Sequence, residues 1–509
     1  MNLIKHVPFL HKSKTEKVPL QAIDGHEEYQ IPLPVTNISF MFFPLGDMLS
    51  AEKIQMFSEE LAIDPSTVKK DIEQLLSNMR EDMVCCMEYP YVEEYYRDSY
   101  YSFYSRKHID SNRNCFRISF FHNSVDENNY YQTELSNRFF GYVVLRPTPK
   151  RVIGYTFLSP KVYKANDFSI CICKRCVSIM GRTLEVTGFP YCGQDGEMNS
   201  CAENAIVVMF DYFSRRYNKY SRLLPSQIAA QLSDSVLNRK QPSIGLDMDT
   251  VSNIIENMGM ATRRYNRQRE DIEESNSLCA EQFERILHIF IESGIPVFAS
   301  SSTHTFLVIG REDKYFENGA KVVCMDDNKR PYHILDSIGE IEEFIVPISE
   351  NVLLNAECLN FDECVASLSK QFPGIVLGDT AKDSFRRVYL TTSHSYKAYL
   401  ANSTLSNENR AIAISVAMPR FVWVCEFTNR QSLMNEIHSA TLDMLVVLDA
   451  TEYPNGCNHL LMIKTKEHLV IPTTDKTRLQ RKRYSMFESN EIMSPFMNNL
   501  KGKQTQWQG

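Results

Sequence analysis

The segment Ser200-Cys201-Ala202-Glu203 constrains this chain more than any other. A serine followed three residues later by a glutamate is a capping box, in which the two side chains satisfy backbone N–H groups where a helix begins. Ser200 is then the N-cap and Cys201 the first helical residue. Ala205, Ile206, Met209 and Phe213 follow at helical spacing and give that helix a buried face. A thiol in this place lies against unsatisfied N–H groups and the positive end of the helix dipole, both of which favour its ionised form.

A thiolate nucleophile needs a base and donors for a developing oxyanion. Gln194 lies one short loop upstream, from where its amide can share a pocket with the Cys201 N–H. The base is expected from a strand. His304 opens the apolar run Thr305–Ile309, after the strand signal Gly294-Ile295-Pro296-Val297. The next apolar run, Val322–Met325, ends in Asp326-Asp327-Asn328. Antiparallel neighbours of this kind bring a carboxylate to an imidazole, and the carboxylate orients the ring and stabilises its charged form. Asp326 stands first after the strand and is favoured, with Asp327 close behind. Taken singly, each residue has a plainer reading: a packed cysteine, a satisfied histidine, an ordinary Asp-Asn turn. The joint order favours chemistry.

This arrangement of Gln, Cys-Ala at a helix start, Gly-Ile-Pro-Val, His with an apolar strand, and a strand ending in Asp is similar to papain-like cysteine peptidases. Its pattern is closest to the branch that processes bacteriocin leaders and that branch's relatives. The resemblance implies Cys201 as nucleophile, His304 as base, Asp326 or Asp327 as orienting acid and Gln194 as oxyanion donor. It implies a cysteine peptidase acting on peptide or isopeptide bonds of a protein or peptide substrate, with no metal or organic cofactor. It covers about Tyr191–Tyr332. The chain departs from papain in having no Trp after the cysteine and one more residue between Gln and Cys, and it has no transporter domains. Two other functions fit the same residues: a transglutaminase-like or deamidating enzyme, and a non-catalytic sensor or scaffold.

A chain of 509 residues exceeds what one core usually serves. Three regions are expected: an α+β N-terminal region (1–165), a papain-like domain of helices and antiparallel sheet (166–345), and an α+β C-terminal region (346–509). The flanking regions are expected to select substrate or bind a protein partner. In the first region strands are expected around Tyr29–Phe43, Asn114–Phe121, Phe139–Leu145 and Arg151–Leu158, with helices Ser50–Glu60 and Pro65–Met83. In the last region strands are expected at Val388–Thr391, Phe421–Glu426, Met444–Leu448 and Leu460–Ile463. A helix is expected near Ser432–Ser439 and a frayed polar end from Met493 to Gly509.

The net charge of −8 excludes general nucleic-acid binding by bulk electrostatics. The basic run Lys476–Arg483 reads as a solvated face rather than a phosphate site. No apolar run is long enough for a signal peptide or a membrane span, so a cytoplasmic location is expected. The 14 cysteines are then expected to be reduced. Cys171, Cys173 and Cys176, with Cys192 as a fourth, raise the question of zinc. A strand over Phe168–Val177 with buried thiols explains them more simply. Asp449 and His459 flank a segment, Thr451–Cys457, in which Pro454-Asn455-Gly456 is a turn signal, and the stretch reads as a hairpin rather than a second site with Cys457 beside His459.

Overall fold

The computed structural model describes residues 39–502, apart from 109–110, 165–166, 199, 236–245, 269–276, 314–320, 374, 376–383, 430–440, 454–458 and 474–482. The fold is α+β, built on three sheets that follow one another along the chain. Pairing is antiparallel in all three, apart from one two-residue parallel contact in the second. The expected helix at 432–439, the run 476–483 and Cys457 lie wholly or largely outside the described residues.

The first sheet contains β1 (Ser39–Pro44), β2 (Met83–Tyr91), β3 (Cys115–His122), β4 (Phe139–Leu145) and β5 (Ile153–Leu158). It also takes β7 (Cys173–Ile179) and β8 (Arg182–Cys192), in the order β1-β2-β3-β4-β5-β8-β7. Helices α1 (Ala51–Leu61), α2 (Pro65–Leu76) and α3 (Glu94–Ser102) accompany it. The second helix stops seven residues short of the expected Met83. Ser77 turns its hydroxyl back to the Gln74 carbonyl at 2.8 Å, and Asn78 takes the left-handed conformation at φ 65°, which ends the helix. Met83 then opens a strand.

The strand expected over Phe168–Val177 is two strands in two sheets. β6 (Phe168–Ile170) pairs with the second sheet, and the chain crosses at Cys171–Ile172 to β7 in the first. Gly310 permits this, because a Cβ there would meet the Ser169 carbonyl oxygen at 2.2 Å. The cysteines are dispersed as a result: Cys171 and Cys173 are buried and Cys176 is exposed.

The second sheet runs β10 (Ser277–Leu278), β9 (Ala261–Arg267), β15 (Glu343–Ile348), β11 (Val297–Ser300), β12 (Thr305–Glu312), β13 (Val322–Met325) and β14 (His333–Ile334). Helix α4 (Cys201–Arg216) packs on β8, β12 and β7, so it bridges the first two sheets. α5 (Pro225–Ser235), α6 (Met248–Asn257) and α7 (Ala280–Glu292) complete this layer. The third sheet runs from β16 (Ser384–Thr392) and β17 (Phe421–Asn429) through β18 (Met444–Asp449) and β19 (Leu460–Thr465) to β20 (His468–Pro472) and β21 (Tyr484–Glu488). One apolar cluster extends from Phe43 through Ile206 and Val308 to Val446, so the three sheets share a core.

The end of the chain is not frayed as far as it is described. Met493, Phe496 and Leu500 are buried, and β22 (Lys501–Gly502) pairs with β6. The polar residues between these anchors disguise them in the sequence. Asn499 donates to the carbonyls of Glu292 and Leu390, each at 3.0 Å. Beside it lies a buried charge network. Glu292 receives Arg311 and, at 2.6 Å, Arg387, and Arg387 also reaches Glu426 at 2.9 Å. Burial raises the Glu292 carboxyl, but the two guanidiniums outweigh it and bring it down to about 2.

Replacing Glu292 by Ala leaves two arginines buried without their shared partner. The expected cost is about 3–5 kcal/mol, read as a lower urea midpoint than in the unsubstituted chain.

Candidate active site

Helix α4 begins where the capping box requires. Glu203 is fully buried and accepts the Ser200 backbone N–H at 3.0 Å together with the Ser200 hydroxyl. Cys201 is the first helical residue and is half-buried. Ala202, Ala205, Ile206 and Met209 are buried behind it and hold the helix against the sheets.

The imidazole arrives on β12. The turn from β11 closes through Ser301, whose N–H donates to the His304 carbonyl at 2.8 Å. His304 and the Cys201 thiol lie close enough for each to shift the other's ionisation. Its Nε2 lies 2.7 Å from Asp326 Oδ1 and 3.6 Å from Asp327 Oδ1. Both aspartates stand at the end of β13, the neighbouring strand. Asp326 also accepts the Asn328 N–H at 2.8 Å. Gln194 reaches the cluster through Asn328, donating from Nε2 to Asn328 Oδ1 at 2.6 Å. The structure therefore gathers Gln194, Cys201, His304, Asp326 and Asp327 in one place.

Several contributors are not among the residues singled out from the sequence. Asn204 Nδ2 donates to Asp327 Oδ2 at 3.2 Å. It stands three residues after Cys201 on the same helix face, a spacing that could have found it. Asn328 lies with Nδ2 at 3.3 Å from His304 Nδ1 and 3.4 Å from Nε2. The backbone carbonyls of the turn are taken by side chains of the first sheet and its surroundings. Tyr191 donates to Asp327 at 3.2 Å and to Lys329 at 2.8 Å, Gln74 to Asn328 at 2.6 Å, and Arg151 to Lys329 at 3.3 Å. No local pattern announces such long-range contacts.

The electrostatics divide the groups. Burial raises the Cys201 thiol, but hydrogen bonds from His304 and Thr305 outweigh it and leave the thiol below its ordinary value. Burial lowers His304, and its bonds to Asp326 and Cys201 reverse this and raise it to about 10. Burial raises Asp326, and its bond to His304 brings it below the ordinary carboxylate value. Asp327 is raised to about 6, chiefly by burial. A lowered thiol beside a raised imidazole favours the thiolate and imidazolium forms of the pair. Ala205, Val208, Phe306, Leu307 and Met325 line the space beside the thiol, and apolar walls strengthen the attraction.

Comparison with protein-family models, with curated proteins and with solved structures gives no match. The chemistry of the site therefore has to be argued from its geometry.

His304, Asp326 and Asp327 offer one nitrogen and two carboxylates within 4.8 Å of one another, a set that a divalent cation accepts. The 2.7 Å between imidazole and Asp326 is a hydrogen-bond separation, closer than two ligands of one tetrahedral ion, which sit roughly 3.3 Å apart at zinc–ligand lengths of about 2 Å. The arrangement as it stands shares a proton. Outside the set, His333 lies close enough to Asp326 for the two charges to interact. Burial pushes His288, inside α7, down to about 4, which keeps it neutral. His333 is half-buried on the short strand β14. Asp449 accepts from the Thr451 N–H and hydroxyl, both at 2.7 Å, and so serves a turn. Among the described residues no helix is long and apolar enough to cross a membrane.

Thiolate absorbance near 240 nm, taken as the difference between the chain and Cys201→Ala, is expected to titrate below the ordinary thiol value. In His304→Ala the midpoint should move upward. Asp327 gives a second test. A carboxyl raised to about 6 in the fold binds more protons there than in the unfolded chain, so stability falls as pH rises from about 4 to about 6. Asp327→Asn removes that cost. It is expected to gain about 1–3 kcal/mol at pH 8, with the gain disappearing below about pH 4, measured by urea unfolding at both pH values.

Proposed function

We propose that this chain is a papain-like cysteine peptidase that hydrolyses peptide or isopeptide bonds through a thioester acyl-enzyme. One observation carries the reading: Cys201, at a helix N-terminus, and His304 each shift the other's ionisation, and Nε2 of His304 is held by Asp326 at 2.7 Å. With Nε2 committed to Asp326, Nδ1 is the nitrogen that exchanges a proton with the reaction.

The Cys201 sulfur attacks the carbonyl carbon of the amide, and its oxygen becomes an oxyanion. The Cys201 N–H, at the first position of α4, stabilises that charge, together with the Gln194 amide once it turns from Asn328. Imidazolium His304 gives its proton to the leaving nitrogen as the carbon–nitrogen bond breaks. Neutral His304 then takes a proton from water, which attacks the thioester, and the acid leaves with the thiolate restored. Asp326 keeps the ring oriented and stabilises its charged form throughout. The first and third regions flank this unit and are the place for substrate selection.

The same residues serve a deamidating or transglutaminase-like enzyme. That reading draws on one contact, the carboxamide of Asn328 resting against His304 and Gln194.

A terminal-peptide comparison of a proteome incubated with the chain and with Cys201→Ala is expected to yield new termini only with the chain. Their absence, with ammonia released instead, moves the reading to deamidation. Neither product means a non-catalytic protein. On a cleaved peptide, Asp326→Asn should lower kcat by about 10²-fold or more.

A further inference from the structure

The carboxamide of Asn328 occupies an unusual place for a side chain of the enzyme itself. Its oxygen receives Gln194 Nε2 at 2.6 Å. Its nitrogen lies 3.3 Å from His304 Nδ1 and 3.4 Å from Nε2, over the ring. A reacting amide needs the same two neighbours. Its carbonyl oxygen must meet the oxyanion donor, and its nitrogen must meet the imidazole that protonates it. We infer that Asn328 fills the seat of the reacting amide in the resting enzyme and has to swing out before substrate can enter. The inference rests on Cys201 and His304 being the reacting pair.

The backbone around Asn328 permits such a movement. Its N–H is fixed on Asp326 Oδ1 at 2.8 Å, and its carbonyl is fixed by Gln74 Nε2 at 2.6 Å. These bonds hold the turn while the side chain rotates about its own torsions. The residue is exposed, so solvent is open to the displaced group. The same anchors mean that removing the side chain leaves the acid turn where it is. Once Asn328 has left, Gln194 regains the N–H that the incoming carbonyl requires. A substrate thus replaces one carbonyl acceptor for Gln194 by another, and a group lacking a carbonyl does not compensate for the lost contact. Asn328 in this way both guards the thiol and selects for a carbonyl group.

The test uses the full chain and iodoacetamide, a small reagent that itself carries a carboxamide, with alkylation of the Cys201 peptide followed by mass spectrometry at pH 7. Asn328→Ala is expected to raise the alkylation rate at Cys201 three-fold or more. A rate unchanged or lowered overturns the inference and makes Asn328 a positioning residue for His304. Asn328→Gly is the second variant should the alanine form fail to fold. Adding His304→Ala to Asn328→Ala checks the reading beneath. If the rate then stays the same, His304 does not activate Cys201, whatever Asn328 does.

Discussion

An imidazole is useful only if the carboxylate behind it stays still, and the turn from Asp326 to Lys329, closed by the Lys329 N–H on the Asp326 carbonyl at 3.0 Å, is braced further from outside. It follows the four-residue strand β13, and three consecutive carbonyls face away from any strand partner. Side chains of the first sheet and its surroundings take all three: Tyr191 from β8, Gln74 from α2, and Arg151 from the hairpin before β5. The acid turn is thereby built by two sheets at once. Asn204 adds a tie from the helix that carries the thiol. The three elements bearing Cys201, His304 and Asp326 are thus cross-linked by polar contacts in a partly buried place, where such contacts specify geometry strongly.

The third sheet is joined to the second by a different device. Glu292, Arg311, Arg387 and Glu426 form a buried chain of charge between α7, β12, β16 and β17. Each charge has an opposite partner, which is what makes its burial tolerable. The segment 493–502 closes the arrangement by inserting Phe496 into the third region's core and pairing Lys501–Gly502 with β6. β12 therefore has His304 just before its first residue and, seven positions on, Arg311 in the network. A strand connects the two, so the third region bears on the placement of the imidazole even though it contributes none of the groups proposed to react.

Much of the local structure was legible in the sequence, for identifiable reasons. The capping box located α4 and put Cys201 at its first position. Apolar runs located β4, β11, β12 and β13, because a strand buried on both faces has few polar residues to blur it. Legibility failed where a partner decides the outcome. Pro65–Leu76 and the residues after it look continuous until Ser77 and Asn78 turn the chain. Phe168–Val177 looks like one strand until its two halves find different sheets. Met493–Gly502 looks like a polar tail because its anchors are spaced too far apart to make a pattern.

The sequence by itself determined which chemistry was available: a thiol at a helix start, a histidine before a strand, two aspartates after the next strand, and a glutamine upstream. Those are consequences of residue type and short-range hydrogen bonding, which act over a few positions of chain. Only the tertiary structure decided how the two aspartates differ, since the Asp326 carboxylate is hydrogen-bonded to His304 while Asp327 is buried against Asn204. It alone placed Asn328 between Gln194 and the imidazole, and it alone recruited Gln74 and Arg151. Side-chain contacts across more than a hundred residues depend on how sheets pack, and no local stretch of sequence encodes that packing.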